Sequence, residues 1–156
     1  MITKPPKGFY ENFTHFFNGA MEALEKVGNV SYSKGTTNMR DKGWQLTKNA
    51  EGNFRQECIN WFNDNYYLLF DTTLHGQTWS QLGCWFICTT LGTGTGFWDM
   101  HTGQKQHRET LTSLGKRLTE AVKDCYGHNN EVFDMYIVKG KYCNFSWTVP
   151  TKPNLT

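Results

Sequence analysis

The pattern of apolar and polar residues predicts a helix close to the start of the chain. From residue 9 to residue 27, apolar side chains recur every three or four positions, and polar side chains fill the positions between them. The apolar positions are Phe9, Phe13, Phe16, Phe17, Ala20, Leu24 and Val27. This spacing places them on one face of an amphipathic helix. Gly28 follows as a suitable stop signal.

Two more segments have helical spacing. One runs from about Asn53, a favourable N-cap residue, to about Phe70. Its buried stripe is Phe54, Cys58, Trp61, Phe62 and Leu69. The other has Leu111, Leu114, Leu118, Ala121, Val122 and Cys125 on its inner face. Gly127 is well placed to cap the C-terminus of this third helix.

Two pairs of strands are predicted in the second half of the chain. The apolar run at residues 84–90 is typical of a strand buried on both faces, and residues 97–100 form its partner after a glycine-rich turn. Further along, residues 132–138 and 141–147 flank Lys139-Gly140, a two-residue hairpin signal.

Together these elements predict the α+β class. Consecutive strands joined by tight turns indicate a small antiparallel sheet of about four strands, with about three helices packed on one face. Residues 9–149 form a single domain, in keeping with a chain of 156 residues. Residues 1–8 are a flexible N-terminal tail, and residues 150–156 are a C-terminal tail.

Between the first two helices, residues 29–52 are polar and rich in Gly, Thr, Asn and Lys. We expect a long polar loop with a short strand near residues 44–47, and such loops are often functional or mobile. The candidates for ligand or partner binding are Tyr32, Lys34, Arg40, Lys42 and Trp44, together with Trp79 in another polar setting. Trp, Tyr and Arg dominate the binding energy of many interfaces.

Composition and charge exclude several classes of protein. Aromatic residues make up 15% of the chain, which argues against disorder. The net charge is only +2 and the basic residues are scattered, a weak signal for binding to nucleic-acid phosphates. No stretch approaches the ~20 apolar residues that span a bilayer, and no secretory signal begins the chain. The five cysteines are odd in number and widely spread, which indicates reduced thiols in a reducing compartment.

Gly92, Gly94 and Gly96 are the most distinctive local feature. Closely spaced glycines can let backbone N–H groups approach a bound phosphate. That interpretation needs a helix directly after the glycines, and the residues that follow have strand character instead. A structural turn is therefore favoured over an anion contact.

No catalytic or metal-binding constellation is evident. Asp99 and His101 are the candidates for an acid and a base. The five histidines match no familiar metal-ligand spacing, and no cofactor is predicted. Cys84 and Cys88 lie among apolar residues, where burial raises a thiol pKa, so core packing is favoured over a nucleophilic role.

From residue 81 onward the sequence carries a series of short motifs. They are Gln81, Gly83, Phe86, Thr89, Gly92, Gly94, Gly96-Phe97-Trp98-Asp99, Leu114-Gly115, Arg117-Leu118-Thr119-Glu120-Ala121, Tyr136 and Tyr142. In this respect the chain resembles a family of small bacteriophage proteins with no established function. Thr90, Leu91 and Thr93 stand where that family has Arg, Asn and His. The resemblance implies a phage origin and a location in the host cytoplasm.

Three functions are open on the sequence alone. The first is a phage accessory binding protein that acts on a host macromolecule or sequesters a small nucleotide-like signal molecule, as in host takeover or counter-defence. The second is a small enzyme acting on a nucleotide or nucleic acid. The third is a nucleic-acid-binding protein that uses Lys34, Arg40, Lys42 and Lys48. Binding is favoured because no catalytic constellation stands out. The aromatic content is also compatible with a homodimer interface. No membrane partner is expected.

Overall fold

The computed structural model describes residues 4–127 and 133–147, which adopt an α+β fold. In chain order the elements are α1 (Phe9–Val27), β1 (Val30–Tyr32), β2 (Gly35–Thr37), α2 (Met39–Lys42), β3 (Gln45–Leu46), α3 (Lys48–Asp64), α4 (Tyr66–Thr73), α5 (Trp79–Leu91), α6 (Arg108–Tyr126), β4 (Phe133–Lys139) and β5 (Tyr142–Trp147). Two short 3-10 turns, Phe97–Asp99 and Lys105–His107, lie between α5 and α6. No helix within these described ranges is long and apolar enough to cross a membrane.

The two helices with the clearest amphipathic spacing are confirmed. α1 buries its apolar stripe except for Val27, and it ends where the Gly28 N–H donates to the Leu24 carbonyl at 2.9 Å. α6 ends in the same way, with the Gly127 N–H donating to the Lys123 carbonyl at 2.7 Å. Both glycines therefore stop a helix where the sequence predicts a stop.

The second predicted helix is two helices, α3 and α4. α3 begins earlier than expected because Thr47 caps it: the Thr47 hydroxyl accepts from the Ala50 N–H at 3.1 Å. At the junction with α4, the side-chain amide of Asn65 donates back to the Trp61 carbonyl at 2.9 Å. The prediction of an N-cap at Asn53 is therefore wrong, since that residue lies inside α3.

Residues 84–90, predicted as a buried strand, lie in helix α5. Thr78 and Gln81 begin this helix with a capping box, in which each side chain accepts from the backbone N–H of the other, at 3.2 and 2.9 Å. Gly92 ends it in the left-handed conformation, with φ of 64°. Residues 97–99, predicted within the partner strand, form a 3-10 turn. A continuous apolar run fits a buried helix as well as a buried strand, and here the caps distinguish the two.

The sheet has five strands in the order β2-β1-β4-β5-β3, and it is mixed rather than antiparallel. The predicted C-terminal hairpin β4–β5 is confirmed and forms its centre. Its turn lies at Gly140 and Lys141, one residue later than predicted. β1 pairs parallel to β4, and β3 pairs parallel to β5. These parallel pairs join segments that are far apart in the sequence, so local turn signals do not reveal them.

Residues 29–52, predicted as one irregular loop, supply three strands, the single turn of α2 and the start of α3. The short strand expected near residues 44–47 is confirmed at Gln45–Leu46. The three strands have only two or three residues each, too few to show an alternating pattern. Residues 1–3 and 150–156 of the predicted tails, and residue 132 of the predicted hairpin, lie outside the described residues.

Helices α1 and α5 approach each other closely because glycines lie at their contact. A Cβ atom at Gly19 would overlap the Ser80 carbonyl, and one at Gly83 would overlap the Phe16 carbonyl. α5 is buried on its other side as well, where the Phe86 ring stacks on the Trp61 ring with centroids 4.4 Å apart. The core between the helices and the sheet is completed by side chains of the sheet's inner face, which are Val30, Met135, Cys143 and Phe145.

Candidate binding surface

The structure gathers basic and aromatic side chains at one end of the sheet. Because β1 runs parallel to β4, the turn after β1 lies at the same end as the β4–β5 turn. Because β3 runs parallel to β5, the residues just before β3 lie at this end too. We call this region the basic end of the sheet; its members are Lys34, Lys42, Lys139 and Lys141 with Tyr32, Trp44 and Tyr142.

Tyr32 and Trp44 form an aromatic pair in this region. Their rings meet edge to face, with centroids 5.5 Å apart. Trp44 is held in place by its backbone N–H, which donates to the Met39 carbonyl at 2.9 Å. The Lys42 Nζ atom lies 5.5 Å from the centroid of the Tyr32 ring, within the range of a cation–π contact. Both rings are half-buried and the lysine is exposed, so the Lys42 charge is accessible to solvent while its side chain packs on the Tyr32 ring.

The hairpin turn adds two more lysines and a third ring. The Gln45 N–H donates to the Lys141 carbonyl at 2.9 Å, which joins β3 to this turn. The Lys141 Nζ atom lies 5.8 Å from the centroid of the Tyr142 ring. Lys139 is paired with Tyr142 across the two strands. Lys34 completes the set from the β1–β2 turn, and all four lysines are exposed.

Charge is distributed unevenly over the protein. Residues 30–46 and 133–147, which contain all five strands of the described sheet, hold five of the 16 Lys and Arg residues of the chain, but only two of its 14 Asp and Glu residues, Asp41 and Asp134. The rest of the chain is therefore net negative although the total charge is +2. Such a separation concentrates positive potential over the sheet, where it attracts anions.

Four of the six residues predicted for binding belong to this region: Tyr32, Lys34, Lys42 and Trp44. Arg40 lies beside α1 instead. The pKa of Glu22 is held below its ordinary value mainly by its hydrogen bond to Lys26, and the charge of Arg40 adds to that effect. Trp79 is at the start of α5, where its ring stacks on Tyr66 with centroids 5.5 Å apart. The charge of Arg40 therefore acts on the carboxylates of α1, and Trp79 packs against the helical core.

The glycine turn after α5 uses its own backbone N–H groups. The Gly92 N–H donates to a carbonyl of α5. The Gly96 N–H donates to the Asp99 carboxylate at 3.2 Å, and the Phe97 N–H donates to the Thr89 hydroxyl at 3.0 Å. Donors that are used inside the turn are not available to a phosphate, so this geometry favours a structural turn.

The residues considered for acid–base chemistry, Asp99 and His101, lie at the end of the 3-10 turn Phe97–Asp99 and just after it. Asp99 accepts the hydrogen bond from Gly96 and so helps to shape the glycine turn. His101 follows two residues later, where its carbonyl accepts from the Gln104 N–H at 3.0 Å. Within the described part of the chain, no group of three or more His, Cys, Asp or Glu residues is placed to hold a metal ion.

Cys84 and Cys88 lie one turn apart on α5, not on a strand. The Cys84 thiol and the hydroxyls of Thr93 and Thr95 donate to the Cys88 sulfur, which lowers the pKa of Cys88 to about 6. The contact with Cys88, together with burial, raises the pKa of Cys84. Cys84 lines a groove of about 190 Å³ between α1 and α5. The expectation of a raised thiol pKa therefore fits Cys84 but not Cys88.

Three residues of the basic end are not predicted as binding residues from the sequence: Lys139, Lys141 and Tyr142. The hairpin signal does not mark them, because the pairing of Lys139 with Tyr142 depends on the position of the turn and on the irregularity between Ile137 and Lys139.

Comparisons of the chain with protein-family models, curated proteins and solved structures find no match. The resemblance to bacteriophage proteins thus stays a prediction. Function has to be inferred from the surfaces of the protein and their chemistry.

Proposed function

We propose that the protein is a binding protein whose contact surface is the basic end of the sheet. Its partner is anionic and offers apolar or planar groups to the aromatic rings. In keeping with the bacteriophage resemblance, it is an accessory protein that acts in the host cytoplasm. There it engages a host macromolecule or sequesters a small nucleotide-like molecule.

The observation that carries this proposal is the grouping of four exposed lysines and three aromatic rings at one end of the sheet, where Lys42 lies over the Tyr32 ring and Lys141 over the Tyr142 ring. The lysines supply attraction and steering of an anion. The rings supply apolar contact area and a rigid surface, and Tyr and Trp are frequent hot spots of binding. The glycine turn and Asp99 are engaged in internal hydrogen bonds, which favours binding over catalysis.

The proposal is tested by asking what the protein retains from cells. Tagged protein is purified from bacterial cells at low salt, and bound material is analysed by mass spectrometry and by its ultraviolet absorbance ratio. The variant Lys42→Ala/Lys141→Ala removes two charges from the basic end. The variant Lys116→Ala/Arg117→Ala is the matched control, because it removes two exposed charges from α6.

We expect the wild-type protein and the α6 variant to retain the same partner, and the basic-end variant to lose it. Circular dichroism should be unchanged in all three, since the substituted side chains are exposed. Retention of the partner by the basic-end variant, or equal loss in both variants, would contradict the proposed surface. A wild-type protein that retains nothing would contradict a binding function.

A further inference from the structure

Next to the basic end, the outer face of the sheet carries uncharged residues, two of which are tyrosines. Side chains alternate along each strand, so the face opposite the core carries Ser31, Gln45, Tyr136, Val138, Tyr142 and Asn144. Tyr136 and Tyr142 are 39% and 40% exposed. Large aromatic rings this accessible on a sheet face are available to a ligand.

The two tyrosines are held in defined positions. Tyr136 is paired with Asn144 across the hairpin, and the Asn144 side-chain amide donates to the Tyr136 hydroxyl at 2.6 Å. Tyr142 lies two residues before Asn144, which makes it a diagonal neighbour of Tyr136, typically about 7–8 Å away. Two rings at such a spacing can each stack on a separate planar group.

We infer that this outer face, with the basic end beside it, binds single-stranded nucleic acid. The bases stack on Tyr136 and Tyr142, and the phosphates contact Lys34, Lys139 and Lys141 at the turns. Sheets that present aromatic rings in this way can stack two or three unpaired bases. The inference rests on the proposed function and names the partner class.

Single strands fit this surface better than duplexes do. Bases in a duplex are stacked on each other, so their faces are not accessible to the tyrosine rings. An acidic protein could pair its carboxylates with the lysines, but it has no regular series of planar groups to stack on the two tyrosine rings. The outer-face residues next to the lysines, Tyr136, Val138, Tyr142 and Asn144, carry no charge that would repel the nucleic-acid backbone. An acidic position of the same face, Asp134, lies at the far end of β4, away from the hairpin turn.

The test measures fluorescence anisotropy of labelled 15-nucleotide oligothymidylate and oligouridylate, and of a duplex of the same length. Tyr142→Ala removes one stacking ring and is compared with Tyr67→Ala, an exposed tyrosine on α4 that lies outside this surface. Lys141→Ala is compared with Lys116→Ala on α6. Oligothymidylate and oligouridylate together separate DNA from RNA as the source of the single strand.

We expect either single strand to bind at least tenfold more tightly than the duplex. Tyr142→Ala should weaken binding by about 5- to 150-fold, the range measured for loss of one base–aromatic stack, and Tyr67→Ala should have no effect. With three lysines on phosphates, the logarithm of the association constant should fall with the logarithm of the salt concentration with a slope of roughly −2.1. Lys141→Ala should reduce that slope by about 0.7, and Lys116→Ala should leave it unchanged.

Equal affinity for single strands and duplex, or equal effects of Tyr142→Ala and Tyr67→Ala, would overturn the inference. So would the absence of binding to both oligonucleotides. If the protein binds neither oligonucleotide but retains a partner from cells through Lys42 and Lys141, only the nucleic-acid inference fails. If the protein retains no partner from cells either, the proposed function fails with it.

Discussion

Gly83 provides a sharp test of the contact between α1 and α5. A methyl group at this position would overlap the Phe16 carbonyl oxygen and lie 2.8 Å from the Ala20 nitrogen. Ordinary contacts between carbon and oxygen are about 3.3–3.6 Å. Both atoms that the methyl group meets are backbone atoms of α1, so no side-chain rotation relieves the overlap. The two helices would have to move apart by roughly 1 Å or more.

The expected change in the free energy of unfolding on Gly83→Ala is the sum of two opposing effects. Adding a methyl group to a tightly packed core costs about 1–3 kcal/mol and occasionally more, and a contact with rigid backbone belongs at the upper end. Replacing Gly by Ala inside a helix contributes about 1 kcal/mol in the other direction. Gly83→Ala should therefore lower the free energy of unfolding by about 2 kcal/mol, which corresponds to a fall in Tm of about 4–8 °C for a chain of this length.

The control is Gly52→Ala in α3. Gly52 is exposed, and a Cβ atom there would meet no atom within 4 Å. Only the helix propensity changes, so this variant should be more stable by about 1 kcal/mol. Urea unfolding followed by circular dichroism measures both variants. Gly83→Ala that is as stable as the wild-type protein, or stabilised like Gly52→Ala, would refute the close packing of α5 on α1.

Two further predictions concern α5. Thr78→Ala removes the capping box at the start of this helix and should lower the free energy of unfolding by about 1 kcal/mol in the same urea assay. The control Thr112→Ala changes an exposed threonine inside α6 and should have a smaller effect. Equal effects of the two substitutions would argue against the cap. The pKa of Cys88 is about 6 in the folded protein, below the ordinary thiol value near 8.5, so its contribution to stability should grow as the pH rises from 6 to 8.5 and be lost as the pH falls through 6. The stability difference between the wild-type protein and Cys88→Ser should accordingly widen over that range, and a difference independent of pH would contradict the hydrogen bonds to the Cys88 sulfur.

The helices that could be predicted are those with one polar face. α1 and α6 show the period of 3.6 residues clearly, because their outer faces meet water. α5 lacks that contrast, since it packs on α1 through Gly83 and on Trp61 through Phe86. Its apolar run therefore resembled a strand. The sequence does contain its boundaries, a Thr-x-x-Gln capping box at Thr78 and a glycine at its end, and these were the more reliable signal.

The proposed binding surface could be predicted only in part. Residue type alone singled out Tyr32, Lys42 and Trp44 in a polar segment. Their proximity to Lys139 and Lys141 depends on the parallel pairing of β1 with β4 and of β3 with β5, across about a hundred residues of sequence. No periodicity within one segment contains that information. Arg40 is near these residues in the sequence, but its charge acts on Glu22 of α1.

The central claim, that the basic end and outer face of the sheet form the binding surface, is tested most directly by nuclear magnetic resonance. The amide spectrum of the labelled protein is recorded during titration with the 15-nucleotide oligothymidylate. We predict that chemical shifts change for residues 30–46 and 135–145 and stay constant in α6 and in the glycine turn at residues 92–96. Changes centred on α6 or on the glycine turn would contradict the account, and so would a spectrum that does not change at all.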